Sequence, residues 1–576
     1  MRLAGAWANW RFQRSTRNAA SLNEAVLEEI LLRNRETAFG RTHGFAEILG
    51  SPDLMAEYLR RVPLSVYADY EPYLERMAAG EDFLLTADRV VFFAPSSGTT
   101  GKAKMIPITT RSAQLMLRVL LLSRAVLNRF LPRRGAGRGI SLIRMSQDPE
   151  RTIGGTPTGD ASAYGMRQAV WLLPLMYTTP VPAMGIADKP TASFVHALFA
   201  LRERDLDHVS ATFAHYVVQF FRVMEERWPE LLESLATGRL PPQLNLPLQL
   251  RAELDSQLRP DPSLAAQLRL EFEKGMRGIA QRLWPQFSCV AAVTTGAFEL
   301  YVPELRRYIG DARLCNLLYG ATEAPIGINL DPARPAEYVF MPGLCAVEFI
   351  PGDDIDSPSP STVGLTGLQR GECYELVITS HAGFYRYRMD DVVRVTGFHA
   401  GSPILEFAYR RGTILNLAAE KTTEEQVAGV VQQLREGWAR AGLTLVDYSA
   451  AADVESAPPR YRLFFEVAGP SEALTQEFVR EAAQTVDAGL VAANVDYAIL
   501  RRNQGLGTPQ IIFLRTGSFQ ALLDLVREER GTPGDNTLKV PRRISRPAQL
   551  RLLDSCSVIP SAPGPPAQAA PGVRIG

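Results

Sequence analysis

The 576-residue chain has no excess charge of either sign: 62 Lys and Arg stand against 62 Asp and Glu. That balance removes the long-range positive field on which nucleic-acid and anionic-membrane binding usually draw, so neither partner is expected. Cysteine is scarce. Cys289, Cys315, Cys345, Cys373 and Cys556 are scattered, odd in number and free of CxxC spacing, which suggests neither a disulfide framework nor a zinc site and fits a reducing cytoplasm. Long apolar runs are missing as well. Residues 3–10 are too few and too weakly apolar for the core of a signal peptide, and Arg11, Arg14 and Arg17 break up the stretch after them. The densest apolar stretch, residues 115–122, contains Arg118 and falls far short of the roughly 20 residues of a membrane span. A soluble, cytoplasmic protein is expected. No internal repeat is visible, and a monomer is the favoured state.

The length exceeds that at which one hydrophobic core stops growing, so a large and a small domain are expected. Hydrophobic residues at 46% and charged ones at 22% are enough to fill a sizeable core. Residues 23–32, 197–221 and 264–283 carry apolar side chains at helical spacing. Short runs at 90–94, 290–294, 314–318 and 373–379 suit buried strands, each followed by Gly, Ser or Thr. An α/β first domain is the consequence. The Asp-, Ser- and Pro-rich stretch 351–364 reads as a loop, because strand-like sequence resumes at once. After Phe407 the pattern changes. Thr422 and Glu425 have capping-box spacing, and Val427, Val430, Val431, Leu434 and Trp438 then fall on one helical face. Strands at 444–448, 461–467 and 495–500 and a helix at 472–491 complete a compact α+β domain. The domains expected are 1–418 and 419–558, with a tail, 559–576, rich in Pro, Ala and Gly and disordered.

Three segments bear chemistry. Val91-Phe-Phe-Ala-Pro-Ser-Ser-Gly-Thr-Thr-Gly-Lys-Ala-Lys-Met-Ile-Pro107 runs from a strand into a loop of glycines and hydroxyls. Such loops bring backbone N–H groups against an anion, with hydroxyl and lysine donors added. It is not a Walker A loop, since Gly98 and Gly101 are too close and Ala103 follows Lys102. An ordinary strand-to-helix turn fits the segment equally well. In Tyr319-Gly-Ala-Thr-Glu-Ala324 a hydroxyl lies beside a carboxylate, a pair suited to a phosphate oxygen and Mg²⁺, although any solvated loop can hold Thr-Glu. Tyr385-Arg-Tyr-Arg-Met-Asp-Asp-Val-Val-Arg394 sets Asp390 and Asp391 between arginines. An ionised carboxylate only accepts hydrogen bonds and suits a ribose diol, while a strand edge with mutually neutralising charges is the plainer alternative.

In this order the three segments resemble the ATP-binding motifs of the adenylate-forming superfamily, which includes acyl-CoA synthetases and luciferases. Asn34-Arg-Glu-Thr-Ala-Phe-Gly-Arg-Thr-His-Gly-Phe45, Thr295-Gly-Ala-Phe-Glu-Leu-Tyr-Val-Pro303, Val393-Arg-Val-Thr-Gly-Phe-His399 and Glu420-Lys-Thr-Thr-Glu424 narrow the likeness. They are similar to segments of the auxin-responsive Gretchen Hagen acyl-acid amido synthetases, over about residues 34–544. The resemblance implies a large N-terminal adenylate-forming domain, a smaller mobile C-terminal domain and an active site at their junction. It implies use of ATP and Mg²⁺ to adenylate a small carboxylic acid, followed by acyl transfer to an amine, an amino acid in that family. An acyl-CoA ligase sharing the first step and a nucleotide-binding homologue without catalysis are the alternatives. A phosphotransferase on another nucleotide fold would release ADP instead of AMP.

Carried over by resemblance, Ser96, Ser97 and Thr99 touch the phosphates, and Thr322 binds the α-phosphate or acyl carboxylate. Glu323 is the metal ligand. Tyr319, Gly320 and Ala321 belong to the same nucleotide segment. Asp391 holds the ribose hydroxyls, with Phe407, Arg410 and Lys421 near the nucleotide, and Thr295 and Gly296 line the pocket. Lys539, in Asn536-Thr-Leu-Lys-Val-Pro-Arg542, matches the lysine that reaches the phosphates when the small domain closes. Two departures stand out. The family commonly has Gly-Asp where this chain has Asp390-Asp391, which leaves the ribose role open between the two. The first loop is often one residue longer in the family. Arg118 and Arg124 are read as solvated residues of the helix after that loop, with contact to a substrate carboxylate the other possibility.

Overall fold

Strand-to-helix transitions marked by Thr, Asp and Pro organise the chain, which divides into one unit spanning Met1–Gly412 and a second comprising Thr413–Arg530 and the chain from Lys539. The computed structural model describes residues 2–95, 104–131, 138–145, 149–411, 415, 417, 422–453, 456, 458–502, 505–530 and 539–558. In the first unit, β1 (Val90–Pro95) pairs antiparallel with β2 (Met105–Thr109). Thr109 then caps the helix Thr110–Leu127: its hydroxyl accepts from Ser112 N at 3.1 Å, and the Ser112 hydroxyl accepts from Thr109 N at 2.7 Å.

Next comes a parallel sheet, β3 (Gly139–Ser141), β4 (His208–Phe213), β5 (Cys289–Val293) and β6 (Arg313–Cys315), in that spatial order. Parallel strands need helical crossovers. Among them are Lys189–Leu201, Ala214–Thr237, Pro262–Glu273 and Val302–Ile309. Ala214–Thr237 is kinked at Arg227, φ −122°, two residues before Pro229. Phe194, Leu198, Phe220, Phe221 and Trp284 fill one core, and the Trp284 indole donates to Ala200 O at 3.0 Å.

Two expected helices are divided. Residues 197–221 contain β4, because a strand buried on both faces is apolar without alternation and imitates part of a helix. Residues 264–283 break between Pro262–Glu273 and Ile279–Leu283, where Gly275 and Gly278 take φ of 82° and 66°. The expected strand at 314–318 is shared between β6 and the start of a second sheet.

That sheet has seven strands, β7 (Leu318–Gly320), β8 (Pro325–Ile328), β9 (Glu337–Phe340), β10 (Ala346–Pro351), β11 (Cys373–Thr379), β12 (Tyr387–His399) and β13 (Ser402–Arg410). Its order is β10-β11-β12-β13-β9-β8-β7, antiparallel throughout. β12 is therefore an interior strand, not an edge. The arginines of its motif pair away from the adjacent aspartates: Arg386 with buried Glu348 at 3.0 Å, and Arg388 with buried Glu375 at 2.6 Å. Arg386 also donates to Leu59 O and Val62 O, tying β12 to the N-terminal helices.

The smaller second unit is α+β. Its strands are β14 (Thr444–Asp453), β15 (Arg460–Ala468), β16 (Gln510–Leu514) and β17 (Arg543–Ile544), ordered β16-β15-β14-β17. The helix Glu424–Arg440 is capped by Thr423 and Gln426, one residue later than the box expected at Thr422 and Glu425. Val427, Val430, Val431, Leu434 and Trp438 form its buried face as read from the sequence, and Trp438 meets Phe465 and Phe513 edge-on, with centroids 5.1 and 5.2 Å away. The expected strand at 495–500 is instead the helix Val495–Arg502, because Asn494 caps it by accepting from Tyr497 N at 3.0 Å. No helix among the described residues is long and apolar enough to cross a membrane.

Candidate active site

Pairing of Gly320 with Pro325 leaves Ala321, Thr322, Glu323 and Ala324 as the turn between β7 and β8, closed by Ala321 N donating to Ala324 O at 3.0 Å. The turn carries Glu323 inward, to 7% exposure. Among the described residues its carboxylate has one hydrogen-bond donor, a long one: the Tyr387 phenol, 3.4 Å from Oε1. Lys104 at the edge of β2 donates to the same phenol oxygen at 3.1 Å, and its ammonium lies 5.5 Å from the Tyr67 ring centroid. Tyr67 in turn accepts from Met105 N at 2.8 Å, which fixes the start of β2.

Asp391, 4% exposed, faces Arg410 across the β12–β13 register, with Nη1 3.5 Å from Oδ1. Its other oxygen accepts from the Tyr319 phenol at 3.0 Å. β7 lies four places from β12, about 19 Å in a flat sheet at about 4.8 Å per strand. A tyrosine side chain spans only a fraction of that distance, so the sheet curls and brings its edge strand β7 back over β12. This closure gathers Tyr319, Glu323, Tyr387, Asp391 and Arg410 from three stretches of sequence.

Burial, reinforced by the Asp391 carboxylate, pushes the Tyr319 phenol far above its ordinary pKa. Burial and the charges of Glu323 and Asp390 do the same to Tyr387. Both phenols thus stay protonated and donate to the carboxylates. Burial lowers the pKa of the Arg410 guanidinium, but Asp391, Glu323 and Asp390 outweigh it and the net shift is upward, so the cluster keeps a fixed cation.

The remaining sequence candidates divide by position. Thr295 precedes the 3₁₀ turn Gly296–Tyr301, and burial raises the pKa of the Tyr338 phenol while the nearby Thr295 hydroxyl opposes that rise. The Tyr338 ring packs against Tyr319 at 5.7 Å, so Thr295 joins the cluster through it. Phe407, 42% exposed, stands edge-on to Tyr319 with centroids 6.1 Å apart. Ser96, Ser97, Thr99 and Lys421 lie outside the described residues. Lys539 belongs to the second unit, half-buried in the segment leading to β17.

Asp390 has φ 60°, the left-handed region in which glycine is unstrained, and its carbonyl accepts from Arg411 N at 2.7 Å. Asp is one of the few L-residues that visit this region readily, so Asp390 is accommodated where the resemblance led to an expectation of glycine. Arg124 is not solvated as expected. It turns inward from the last turn of its helix, 8% exposed, with Nη1 3.3 Å from His208 Nε2, while His208 Nδ1 lies 2.5 Å from Asp207. Sequence reasoning missed Tyr387, Lys104 and Tyr338. The first two lay inside the motifs already singled out, and their chemical residue types were the available signal.

Residues 9–314 match the GH3 family N-terminal domain, 338–410 the GH3 family central domain and 425–548 the GH3 family C-terminal domain. The chain belongs to the GH3 family. The central match spans β9 to β13 and so includes Asp391 and Arg410. This GH3 chain is 30% identical to the indole-3-acetic acid-amido synthetase GH3.10 of Arabidopsis thaliana, over 95% of its own length and 96% of that protein's. It is 31% identical to the jasmonoyl-L-amino acid synthetase JAR4 of Nicotiana attenuata, over 89% of each. Among solved structures, the GH3.15 acyl acid amido synthetase superposes with a TM-score of 0.83 at 26% identity, covering 96% of this chain and 97% of that one. A 2-hydroxyisobutyryl-CoA ligase shares the fold at 11% identity and a TM-score of 0.53, covering 93% of this chain and 91% of that one.

Proposed function

We infer that this GH3 protein is an acyl-acid amido synthetase that adenylates a small carboxylic acid with ATP and transfers the acyl group to an amine, an amino acid, releasing AMP. The observation that carries the reading is the convergence of Glu323, Asp391 and Arg410 within a family of acid-amido synthetases. A carboxylate oxygen of the acid attacks the α-phosphorus as the bond to pyrophosphate breaks. The amine nitrogen then attacks the acyl carbonyl and AMP leaves.

Each group has a task in this scheme. Asp391 accepts the ribose hydroxyls, and half-exposed Phe407 offers a face to the base. Ser96, Ser97 and Thr99 donate to the phosphates, and Thr322 to the α-phosphate or acyl carboxylate, while Thr295 and Gly296 line the acyl or adenine side. Lys421 and Lys539 come from the second unit, and Lys539 is the lysine assigned to the phosphates. Glu323 fits a Mg²⁺ ligand: it is a buried hard oxygen donor with, among the described residues, a single long hydrogen bond, and Mg²⁺ commonly takes one or two carboxylates together with substrate phosphates. When bound, the ion would offset charge on the phosphates. Tyr387 holds the Glu323 carboxylate in place, and Lys104 tempers the local negative charge. The five cysteines are free, consistent with action in the cytoplasm.

The test is to incubate the protein with ATP and Mg²⁺ against aromatic, indolic, jasmonate-like and aliphatic acids, then to add amino acids or coenzyme A to the responsive acid. AMP and an N-acyl amino acid are expected by mass. A product formed only with the thiol would make the chain an acyl-CoA ligase, and ADP would remove adenylation altogether. Within this reading, Glu323→Gln should raise the Mg²⁺ concentration needed for half-maximal AMP formation severalfold, since a neutral amide is a poorer ligand for a hard cation. Superimposable Mg²⁺ titrations would take Glu323 out of the metal site.

A further inference from the structure

The charge balance of the whole chain conceals an uneven distribution in the first unit. The helix Arg2–Arg17 contains no acidic residue, and neither does Thr110–Leu127, against which it packs. The approach is close: a Cβ at Gly5 would lie 3.2 Å from Ala125 Cβ. At 3.6 residues per turn, buried Gly5, Phe12 and Thr16 share one side of the first helix. Trp7, Trp10, Arg11, Arg14 and Arg17 occupy an arc of about 120° on the other side, and all are exposed.

Trp7 is 53% exposed and Trp10 56%, unusual for the largest apolar side chain. Arg11 lies 4.8 Å over the Trp7 ring and Arg14 5.7 Å over Trp10. Exposed Leu117 and Arg118 extend the surface onto the neighbouring helix. Burial, with repulsion from Arg111 and Arg11 added, pulls the Arg118 guanidinium below the ordinary value against the opposing charge of Glu29. Arg111 is answered by Glu29 at 2.7 Å. Among the described residues, no carboxylate lies within salt-bridge distance of Arg11, Arg14, Arg17 or Arg118. Like charges gathered with Glu29 as the one carboxylate acting on them, itself paired to Arg111, suit an external anion.

We propose that this face docks the protein on an anionic phospholipid bilayer, with Trp7 and Trp10 among the headgroups and Arg11, Arg14, Arg17 and Arg118 against the lipid phosphates and carboxylates. An indole has an apolar body and a polar N–H, which suits the membrane–water boundary. Basic side chains near a charged leaflet add attraction that salt screens. A helix face that carries exposed tryptophans among arginines suits the plane of a bilayer surface, whereas single-stranded nucleic acid is held in a groove that tracks its backbone. Docking is peripheral and uses no residue of the proposed catalytic site.

The experiment sediments the full chain with vesicles of phosphatidylcholine alone and of phosphatidylcholine with phosphatidylserine. Binding is expected only to the second, falling as salt is raised. Arg11→Ala with Arg14→Ala should weaken it roughly 25-fold, about fivefold for each arginine, and Trp7→Ala with Trp10→Ala should weaken it at every salt concentration. Both variants change exposed side chains only and should keep acid-dependent AMP formation. Equal binding to neutral vesicles, no binding, or indifference to both variants would overturn the proposal. So would displacement from the vesicles by a duplex oligonucleotide, or self-association without lipid that the tryptophan variant abolishes.

Discussion

Lys539→Ala is expected to slow acid-dependent exchange of pyrophosphate into ATP by about a hundredfold or more while leaving the unfolding midpoint unchanged. The magnitude reflects the loss of one preorganised donor to charge developing on the transferring phosphate. Retention of the fold is expected from how the lysine segment is held. Just beyond it, Ser449 donates to Pro541 O at 2.6 Å, Ala450 N donates to Arg542 O at 2.8 Å, and β17 runs parallel to β14. Arg542 lies over the Tyr448 ring at 4.3 Å and reaches Asp447 at 2.5 Å. These anchors are made by Ser449, Ala450 and Arg542, so the segment is expected to stay attached to β14 when the ammonium is removed. An exchange rate equal to that of the parent would exclude Lys539 from adenylation. A rate loss matched by a lower unfolding midpoint would make the lysine a packing residue.

The same contrast between anchor and reacting group explains how much of this site could be read from the chain. Glycine, hydroxyl and carboxylate residues in one short stretch marked Tyr319 to Glu323, and adjacent carboxylates marked Asp390 and Asp391, whereas Arg410 came only from the family resemblance. The two-domain division into α/β and α+β parts was legible from hydrophobic period and length. What sequence spacing does not express is the curl that returns β7 to β12, since it depends on how seven strands twist together and not on any local pattern. For that reason Tyr387 escaped notice as the phenol between Lys104 and Glu323. Arg386 and Arg388 looked like partners of the adjacent aspartates, but Arg388 reaches Glu375 on the neighbouring β11, and Arg386, just before β12 with φ 47°, reaches Glu348 on β10 beyond it. β4 was hidden for a related reason, because two covered faces erase the alternation by which a strand is known. Asn494 shows the opposite limit: a single capping side chain turned an apolar run into a helix.

Asp391→Asn should weaken AMP binding roughly ten- to a hundredfold, measured by titration calorimetry, with a matching rise in the KM for ATP. Two losses combine. A ribose hydroxyl bound to a charged acceptor is worth about 1.5–3 kcal/mol, and the amide replaces that charge with one neutral oxygen. The new NH₂ also faces either the Arg410 guanidinium or the Tyr319 proton, both donors, so the side chain cannot satisfy the two neighbours that Asp391 now serves. Arg410 retains Glu323 and Asp390 as negative neighbours, which should keep the cluster folded. Asp390→Asn is the matched control: Asn tolerates the left-handed backbone at that position, so the turn survives while the second charge disappears. If Asp391 holds the ribose, only the first substitution should cost nucleotide affinity. Equal losses from both would make the effect one of field strength, and a loss confined to Asp390→Asn would transfer the ribose contact to the neighbouring residue.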